Sequence, residues 1–231
     1  MVWSCLVSIL PGMAQTEKLT DYVNPFVGTD GYGNVYPGAQ IPFGGIQISP
    51  DTDSRFYDAA SGYKYNHLTL MGFSLTHLSG TGIPDLGDFL FIPGTGEMKL
   101  EPGTHEDPDQ GYRSRYSHDK EWASPNYYAV ELADYGVKAE MTSGVRSGMF
   151  RFIYPESDNA FIMIDMNHTL WQSCEWSNLR MINDSTITGY KLVKGWGPER
   201  HVYFTATFSK KLTGLRFVQD KKPGIDNTSR F

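Results

Sequence analysis

Short strand-like segments separated by turn residues constrain the fold of this chain more than any other feature. From about residue 112 onward, runs rich in β-forming residues recur at residues 127–132, 137–142, 149–154, 161–165, 186–192 and 201–208. In residues 137–142 apolar and polar side chains alternate, which is typical of a strand with one buried face. We find no sustained helical periodicity. Many short strands at regular spacing predict an all-β domain, either a β-sandwich or a barrel.

The first half of the chain adds three further predicted strands. Residues 41–49 read as one strand with a bulge at Gly44 and Gly45, residues 68–78 as a second and residues 89–93 as a short buried third. Aromatic residues make up 14% of the chain. That content suits β-structure, and flat rings also stack on sugars, although strand packing explains most of it.

Two glycine-rich loops carry the polar groups of greatest interest. One spans residues 28–38 and the other follows the apolar start of residues 73–88. Glycine permits close approach and unusual backbone angles, and polar loops on a rigid sheet commonly carry function. We therefore predict that these two loops line one sugar-binding surface.

The titratable residues of these loops do not form a recognisable catalytic or metal motif. His77, Asp85 and Asp88 could be imagined as a metal cluster, but such residues more often tie the backbone of their own loop. A triad built from Ser79, His77 and Asp88 lacks a nucleophile elbow and is rejected. Glycoside hydrolysis needs a paired acid and base, and the loop carboxylates show no spacing that makes such a pair.

Composition excludes several classes of protein. The net charge of −6 argues against a nucleic-acid partner, and no apolar run is long enough to span a membrane.

Residues 1–15 resemble a signal peptide, because an apolar run precedes Gly12-Met13-Ala14, although a disordered cytosolic N-terminus is the alternative. Removal of that segment leaves Cys174 as a lone thiol, so no disulfide framework is predicted. The remaining domain spans residues 18–231.

A series of ordered motifs resembles the N-terminal domain of the family 92 glycoside hydrolases. The matching segments lie between residues 21 and 210, and they are residues 23–29, 36–39, 42–44, 49–52, 61–63, 72–74, 76–82, 85–88, 189–190, 194–196, 203–204 and 208–210. The motifs are numerous, unusual and in the same order.

This resemblance implies a large, supersandwich-like β-sandwich that packs on an (α/α)₆ catalytic domain. It implies an inverting, calcium-dependent exo-α-mannosidase that acts on mannose-containing glycans such as N-glycans or mannans. In that family the acid, the base and the calcium ligands come from the C-terminal domain. We therefore expect no catalytic residue and no metal ligand in this chain, a domain incomplete at its C-terminus, and a location outside the cell, in the periplasm or on the surface of a bacterium.

The resemblance also implies that N-terminal loops supply part of the sugar pocket. The substrate-contacting residues that we predict are Gly33, Asn34, Tyr57, Asp58, His77, Asp85 and Asp88, of which the last two and His77 either line the pocket or shape the loop. Tyr57 stands where the family often has Trp, and Tyr32 and Asn34 stand near a position that often carries His. Two alternatives remain open at this point, a free-standing carbohydrate-binding β-sandwich and an inert structural module.

Overall fold

Antiparallel β-structure accounts for nearly all the regular structure of the chain. The computed structural model describes residues 17–54, 59–219, 222–224 and 228–230. The strands are β1 (Ala39–Gln40), β2 (Gln47–Asp51), β3 (Thr69–Leu70), β4 (Gly72–Ser74), β5 (Leu90–Thr95), β6 (Ser114–Arg115), β7 (Glu121–Ser124), β8 (Tyr127–Leu132), β9 (Val137–Ser143), β10 (Gly148–Ile153), β11 (Ala160–Asp165), β12 (Ser173–Asn183), β13 (Thr186–Lys194), β14 (Arg200–Thr207), β15 (Phe217–Gln219), β16 (Lys222–Gly224) and β17 (Thr228–Arg230). Short 3₁₀ turns lie at Leu19–Tyr22, Pro108–Gln110 and His118–Lys120.

The strands form three main sheets. A five-stranded sheet has the order β1-β2-β4-β5-β11, and two four-stranded sheets have the orders β10-β9-β8-β7 and β14-β13-β12-β17. Two small ribbons, β15-β16 and β3-β6, complete the pairing. None of the helical segments in the described ranges is long and apolar enough to cross a membrane.

One apolar core lies between the five-stranded sheet and the β10-β9-β8-β7 sheet. Ile48 and Phe73 contribute from the first sheet, and Tyr128, Ala139 and Met141 contribute from the second. These side chains are buried because alternate residues of each strand point toward the facing sheet.

A second core joins the other end of the five-stranded sheet to β12, β13 and β14. Phe89 and Phe91 meet Leu179, Ile187 and the partly buried Phe204 there. Phe89 and Phe204 have ring centroids 4.5 Å apart, a tilted arrangement that aromatic pairs favour. Two cores between facing sheets make this an all-β sandwich, as the sequence predicts.

Several predicted strands are confirmed within one or two residues. β8 occupies the predicted residues, and β9, β10, β11, β13 and β14 differ only at their ends. β8 and β9 form an antiparallel hairpin, and Gly136 in the turn between them has a φ of +63°. A positive φ at this turn suits glycine, which has no Cβ to clash.

The predictions of one continuous strand over residues 41–49 and of another over residues 68–78 are both wrong. Residues 41–46 form the turn between β1 and β2, where the Gly44 N–H donates to the Ile41 carbonyl at 3.1 Å and the Gly45 N–H donates to the Val145 carbonyl at 2.7 Å, so the glycines lie in a turn and make no bulge. Residues 68–78 contain two short strands that belong to different sheets, because β3 pairs with β6 while β4 pairs with β2 and β5. β12, the longest strand, was not predicted.

Candidate functional site

The first glycine loop folds back on itself through a backbone contact. The Val35 N–H donates to the Gly28 carbonyl at 3.2 Å. A Cβ on Gly33 would lie 2.2 Å from that same carbonyl oxygen, so the loop can close only with glycine there. Asn34 follows with a φ of +50°, a conformation that asparagine tolerates better than most residues. Gly33 is exposed and Asn34 is half-buried.

The two glycine loops lie side by side. The Gly80 N–H in the second loop donates to the Asn34 carbonyl in the first loop at 2.7 Å. Gly80 and Gly82 are exposed, so the junction faces solvent. The structure therefore brings together the two segments that the sequence assigns to one surface.

His77 lies beneath this junction in a buried hydrogen-bond network. Its Nδ1–H donates to the Gln47 carbonyl at 2.7 Å, and its Nε2 lies 2.8 Å from Asp51 Oδ1. The other carboxylate oxygen of Asp51 is 2.7 Å from His168 Nε2. All three side chains are buried. His77 thus links β2 to the second loop, and its ring nitrogens are already engaged within the protein.

The environment of Asp51 favours its ionised form. Burial alone would raise the pKa of this carboxyl, but the charges and hydrogen bonds of His77 and His168 more than offset burial and hold the pKa well below its usual range. Gly62 packs against the same carboxylate, because a Cβ there would lie 2.1 Å from Asp51 Oδ1. The network thus holds Asp51 close to Gly62.

Asp88 ends the second loop and anchors it to the neighbouring sheet. Its carboxylate lies 3.0 Å from Lys191 Nζ on β13, accepts a hydrogen bond from Arg200 on β14, and accepts another from Thr76 Oγ1 at 2.7 Å. Burial alone would raise the pKa of Asp88, but Lys191 and then Arg200 lower it below its usual value.

Asp85 serves as a second anchor three residues earlier. It accepts hydrogen bonds from the Leu86 N–H at 2.6 Å and the Trp196 N–H at 3.0 Å, and Arg200 Nη2 lies 3.8 Å away. The carboxylate therefore ties the second loop to the segment between β13 and β14.

Two predicted substrate-contacting residues, Tyr57 and Asp58, lie outside the described residues. The segments that flank them are paired, since the Thr52 N–H donates to the Gly62 carbonyl at 2.7 Å. Arg113 Nη1 donates to the Thr52 carbonyl at 2.5 Å, and His67 Nδ1 lies 3.0 Å from Thr52 Oγ1. A polar cluster therefore holds the chain on both sides of this segment.

Four residues that support the loops were missed in the sequence. These are Asp51, His168, Lys191 and Arg200, and none has a local sequence signal that names its partner. Lys191 is the one residue of the four with a usable signal, because it occupies an inward position of β13 between the buried Ile187 and Val193. A lysine on the buried face of a strand requires a buried anion.

The described carboxylates do not fit a calcium site. Within the described ranges, no three His, Cys, Asp or Glu side chains are grouped so that they could hold a metal ion. Asp51 and Asp88 already pair with histidines or with basic side chains, whereas calcium requires several carboxylate and carbonyl oxygens that are free to converge on it.

A match to a known family shows the class of protein to which the chain belongs. Residues 22–230 match the family described as the Glycosyl hydrolase family 92 N-terminal domain. The chain belongs to this family, as the resemblance of its motifs predicted.

Solved structures of similar proteins share the fold. A family GH92 alpha-mannosidase from Bacteroides thetaiotaomicron, BT3965, is 99% identical over 93% of this chain, with a TM-score of 0.89. The GH92 family glycosyl hydrolase ccman5 is 27% identical over 91% of the chain, with a TM-score of 0.77. The family GH92 inverting mannosidase BT2199 from the same Bacteroides species is 25% identical over 82%, with a TM-score of 0.64.

These relatives are much longer than the chain. It spans 29% of the BT3965 and ccman5 structures and 25% of BT2199. An uncharacterized secreted glycosidase from Arthroderma benhamiae is 30% identical over 139 residues, which are 59% of this chain and 17% of that protein.

Proposed function

We propose that the chain is the glycan-contacting N-terminal domain of an exo-acting, inverting α-mannosidase that cleaves mannose-containing glycans. Family membership supports the domain assignment, and the names of two similar structures supply the activity, alpha-mannosidase in one and inverting mannosidase in the other. N-glycans and mannans are the substrates that we propose. The relative described as secreted supports a location outside the cell, in the periplasm or on a bacterial surface.

The contact between Gly80 and Asn34 carries this proposal. It places two exposed glycine loops on one surface, where backbone amides and the Asn34 side chain can meet sugar hydroxyls. In our proposal Gly33, Asn34, Tyr57 and Asp58 face the mannose ring.

The other three predicted site residues support that surface from below. His77, Asp85 and Asp88 are buried and make internal hydrogen bonds or ion pairs. We propose that they position the two loops, since rigid support of a binding surface lowers the entropy lost when a ligand binds.

We further propose that the chain lacks hydrolase activity by itself. Inversion requires one carboxylic acid to protonate the leaving oxygen and a second carboxylate to activate water. The buried carboxylates of Asp51 and Asp88 are already paired, Asp51 with two histidines and Asp88 with Lys191 and Arg200. We assign the acid, the base and the calcium ligands to an (α/α)₆ domain elsewhere in the parent enzyme, and this domain would be the partner of the chain.

Calorimetry with a minimal ligand tests the proposed sugar surface. Methyl α-mannoside should release heat on binding to the chain, and Tyr57→Ala and Asp58→Ala should each weaken that binding. Trp122→Ala is the matched control, because Trp122 is an exposed aromatic residue on β7 in a different sheet. Equal binding by all four proteins would contradict the assignment of these two residues.

A chimera tests the same residues during turnover. The chain would replace the matched region of the longer Bacteroides mannosidase, with which it is 99% identical. We expect Tyr57→Ala and Asp58→Ala in this chimera to raise KM or lower kcat/KM for an aryl α-mannoside. Unchanged kinetics would exclude a substrate-contacting role for both residues.

A further inference from the structure

A second candidate binding surface lies on the outer face of the sheet formed by β12, β13 and β14. An open groove there is lined by Trp176, Asn178, Arg180, Thr188, Tyr190 and Tyr203, together with the backbone at Gly189. Strand register explains the grouping, because Asn178 pairs with Tyr190 and Tyr190 pairs with Tyr203. Cross-strand neighbours on one face lie close enough to form a continuous surface.

This groove is distinct from the surface made by the two glycine loops. Successive side chains of a strand point to opposite faces of its sheet. Lys191 points inward and pairs with Asp88 beneath the second glycine loop, whereas its neighbour Tyr190 points outward into the groove. The groove and the loop anchor therefore lie on opposite faces of β13.

Three aromatic rings form the floor of the groove. The ring centroids of Trp176 and Tyr190 are 5.0 Å apart, and those of Tyr190 and Tyr203 are 4.6 Å apart. Trp176 is 37% exposed and Tyr203 is 70% exposed. Leaving such rings in contact with water costs free energy that a ligand with apolar faces would recover.

Polar contacts hold the central ring in place. The Tyr190 hydroxyl lies 2.7 Å from His201 Nδ1, and His201 Nε2 lies 2.7 Å from Glu199 Oε1. A fixed ring loses little freedom when a ligand stacks on it. Arg180 stands at one end of the groove and is exposed, so its guanidinium can donate hydrogen bonds to hydroxyl groups of the same ligand.

We propose that this groove is a non-catalytic binding site for a mannose-containing oligosaccharide. The apolar C–H faces of the pyranose rings would stack on Tyr190, Tyr203 and Trp176, and the ring hydroxyls would accept hydrogen bonds from Arg180. Aromatic rings flanked by a few polar donors suit a neutral sugar, which has both kinds of surface. The choice of mannose as the sugar rests on the function proposed above. A site of this kind would keep the chain on a glycan while the other surface engages a chain end.

Calorimetry would measure the binding of a linear mannotriose to a background protein that carries Tyr57→Ala and Asp58→Ala. These two substitutions disable the proposed sugar surface at the glycine loops, so that the remaining heat reports binding in the groove. In this background we expect Tyr203→Ala to weaken mannotriose binding about tenfold, the effect of losing one stacked ring. The Trp176→Ala and Tyr203→Ala pair should abolish binding. Tyr203→Phe, which keeps the ring, and Trp122→Ala, on another sheet, should bind as the background does.

The outcomes separate this proposal from the proposed mannosidase function. No mannotriose binding by the background protein, or equal binding after loss of Trp176 and Tyr203, would overturn the groove. The mannosidase function is judged independently from the KM of the chimera for an aryl α-mannoside, in which Trp176 and Tyr203 are unchanged. Circular dichroism of each variant would verify the fold, because these side chains are exposed and their removal should leave the β-sheet signal intact.

Discussion

Asp88 and Lys191 form an ion pair of 3.0 Å in which the two side chains are 1% and 0% exposed. The pair joins the end of the second glycine loop to the inner face of β13. Burial lowers the pKa of Lys191, and Asp88 acts in the opposite direction by stabilising the charged form. The loop is therefore fixed to the sheet by a buried ion pair, and Arg200 makes a further contact with Asp88.

Removal of the lysine should strongly destabilise the fold. We expect Lys191→Met to lower the free energy of unfolding by about 3 kcal/mol, because Asp88 would lose its most buried cation. Urea unfolding followed by tryptophan fluorescence measures this change. Lys194→Met is the control, since Lys194 is an exposed residue of the same strand that pairs with Glu175 at 3.1 Å, and its loss should matter far less. Equal stability losses in the two variants would contradict the anchoring role.

The stability of the chain should fall in mild acid because of His67. Burial and then the neighbouring His105 lower the pKa of His67 to about 4. The unfolded chain has an ordinary histidine pKa of about 6.5, so it binds more protons than the folded chain between these values. The contribution of neutral His67 to the free energy of unfolding is fully present above about pH 6.5 and is lost as the pH falls toward 4.

A histidine substitution isolates this contribution. We expect His67→Gln to give a shallower dependence of unfolding free energy on pH between about 6.5 and 4 than the wild type shows. His201→Gln, on the exposed face of β14, provides a comparison that also removes one histidine. Urea titrations at several pH values would decide the matter, and an unchanged slope in His67→Gln would exclude the proposed burial effect.

The first glycine loop should not tolerate a side chain at Gly33. A Cβ at Gly33 would lie 2.2 Å from the Gly28 carbonyl oxygen, so Gly33→Ala should cost about 1–3 kcal/mol and weaken the binding of methyl α-mannoside. Gly82→Ala is a matched control in the second loop, where no atom lies within 4 Å of the added Cβ, and it should change stability by about 0.5 kcal/mol or less. Identical behaviour of the two variants would show that the loop relaxes without cost.

Local sequence patterns are sufficient to predict those strands whose signals lie close together in the chain. The hairpin of β8 and β9 combines alternating side chains with a glycine turn, and both signals lie within a few residues. β12 has no such pattern, since its buried residues include Ser177, which is accommodated by a hydrogen bond to Asn167 Oδ1 at 2.9 Å. A polar residue satisfied by tertiary contacts masks the expected alternation of a strand.

The site was only partly accessible from the sequence for a similar reason. Glycine content identified both loops, and the motifs identified the family. The partners of His77 and Asp88 could not be identified, because Asp51 reaches His77, and Lys191 and Arg200 reach Asp88, through contacts between distant segments that no spacing rule encodes. His168 joins the same network by pairing with Asp51. These residues support the loop surface because the fold buries them next to one another, and burial depends on the whole fold.

Turnover of an aryl α-mannoside in the presence of calcium tests the central claim most directly. The purified chain would be compared with the chimera that carries it in the longer Bacteroides mannosidase, under identical conditions. Our account predicts hydrolysis by the chimera and none by the chain, because the acid and base needed for inversion are assigned outside it. Clear turnover by the chain alone would contradict that account.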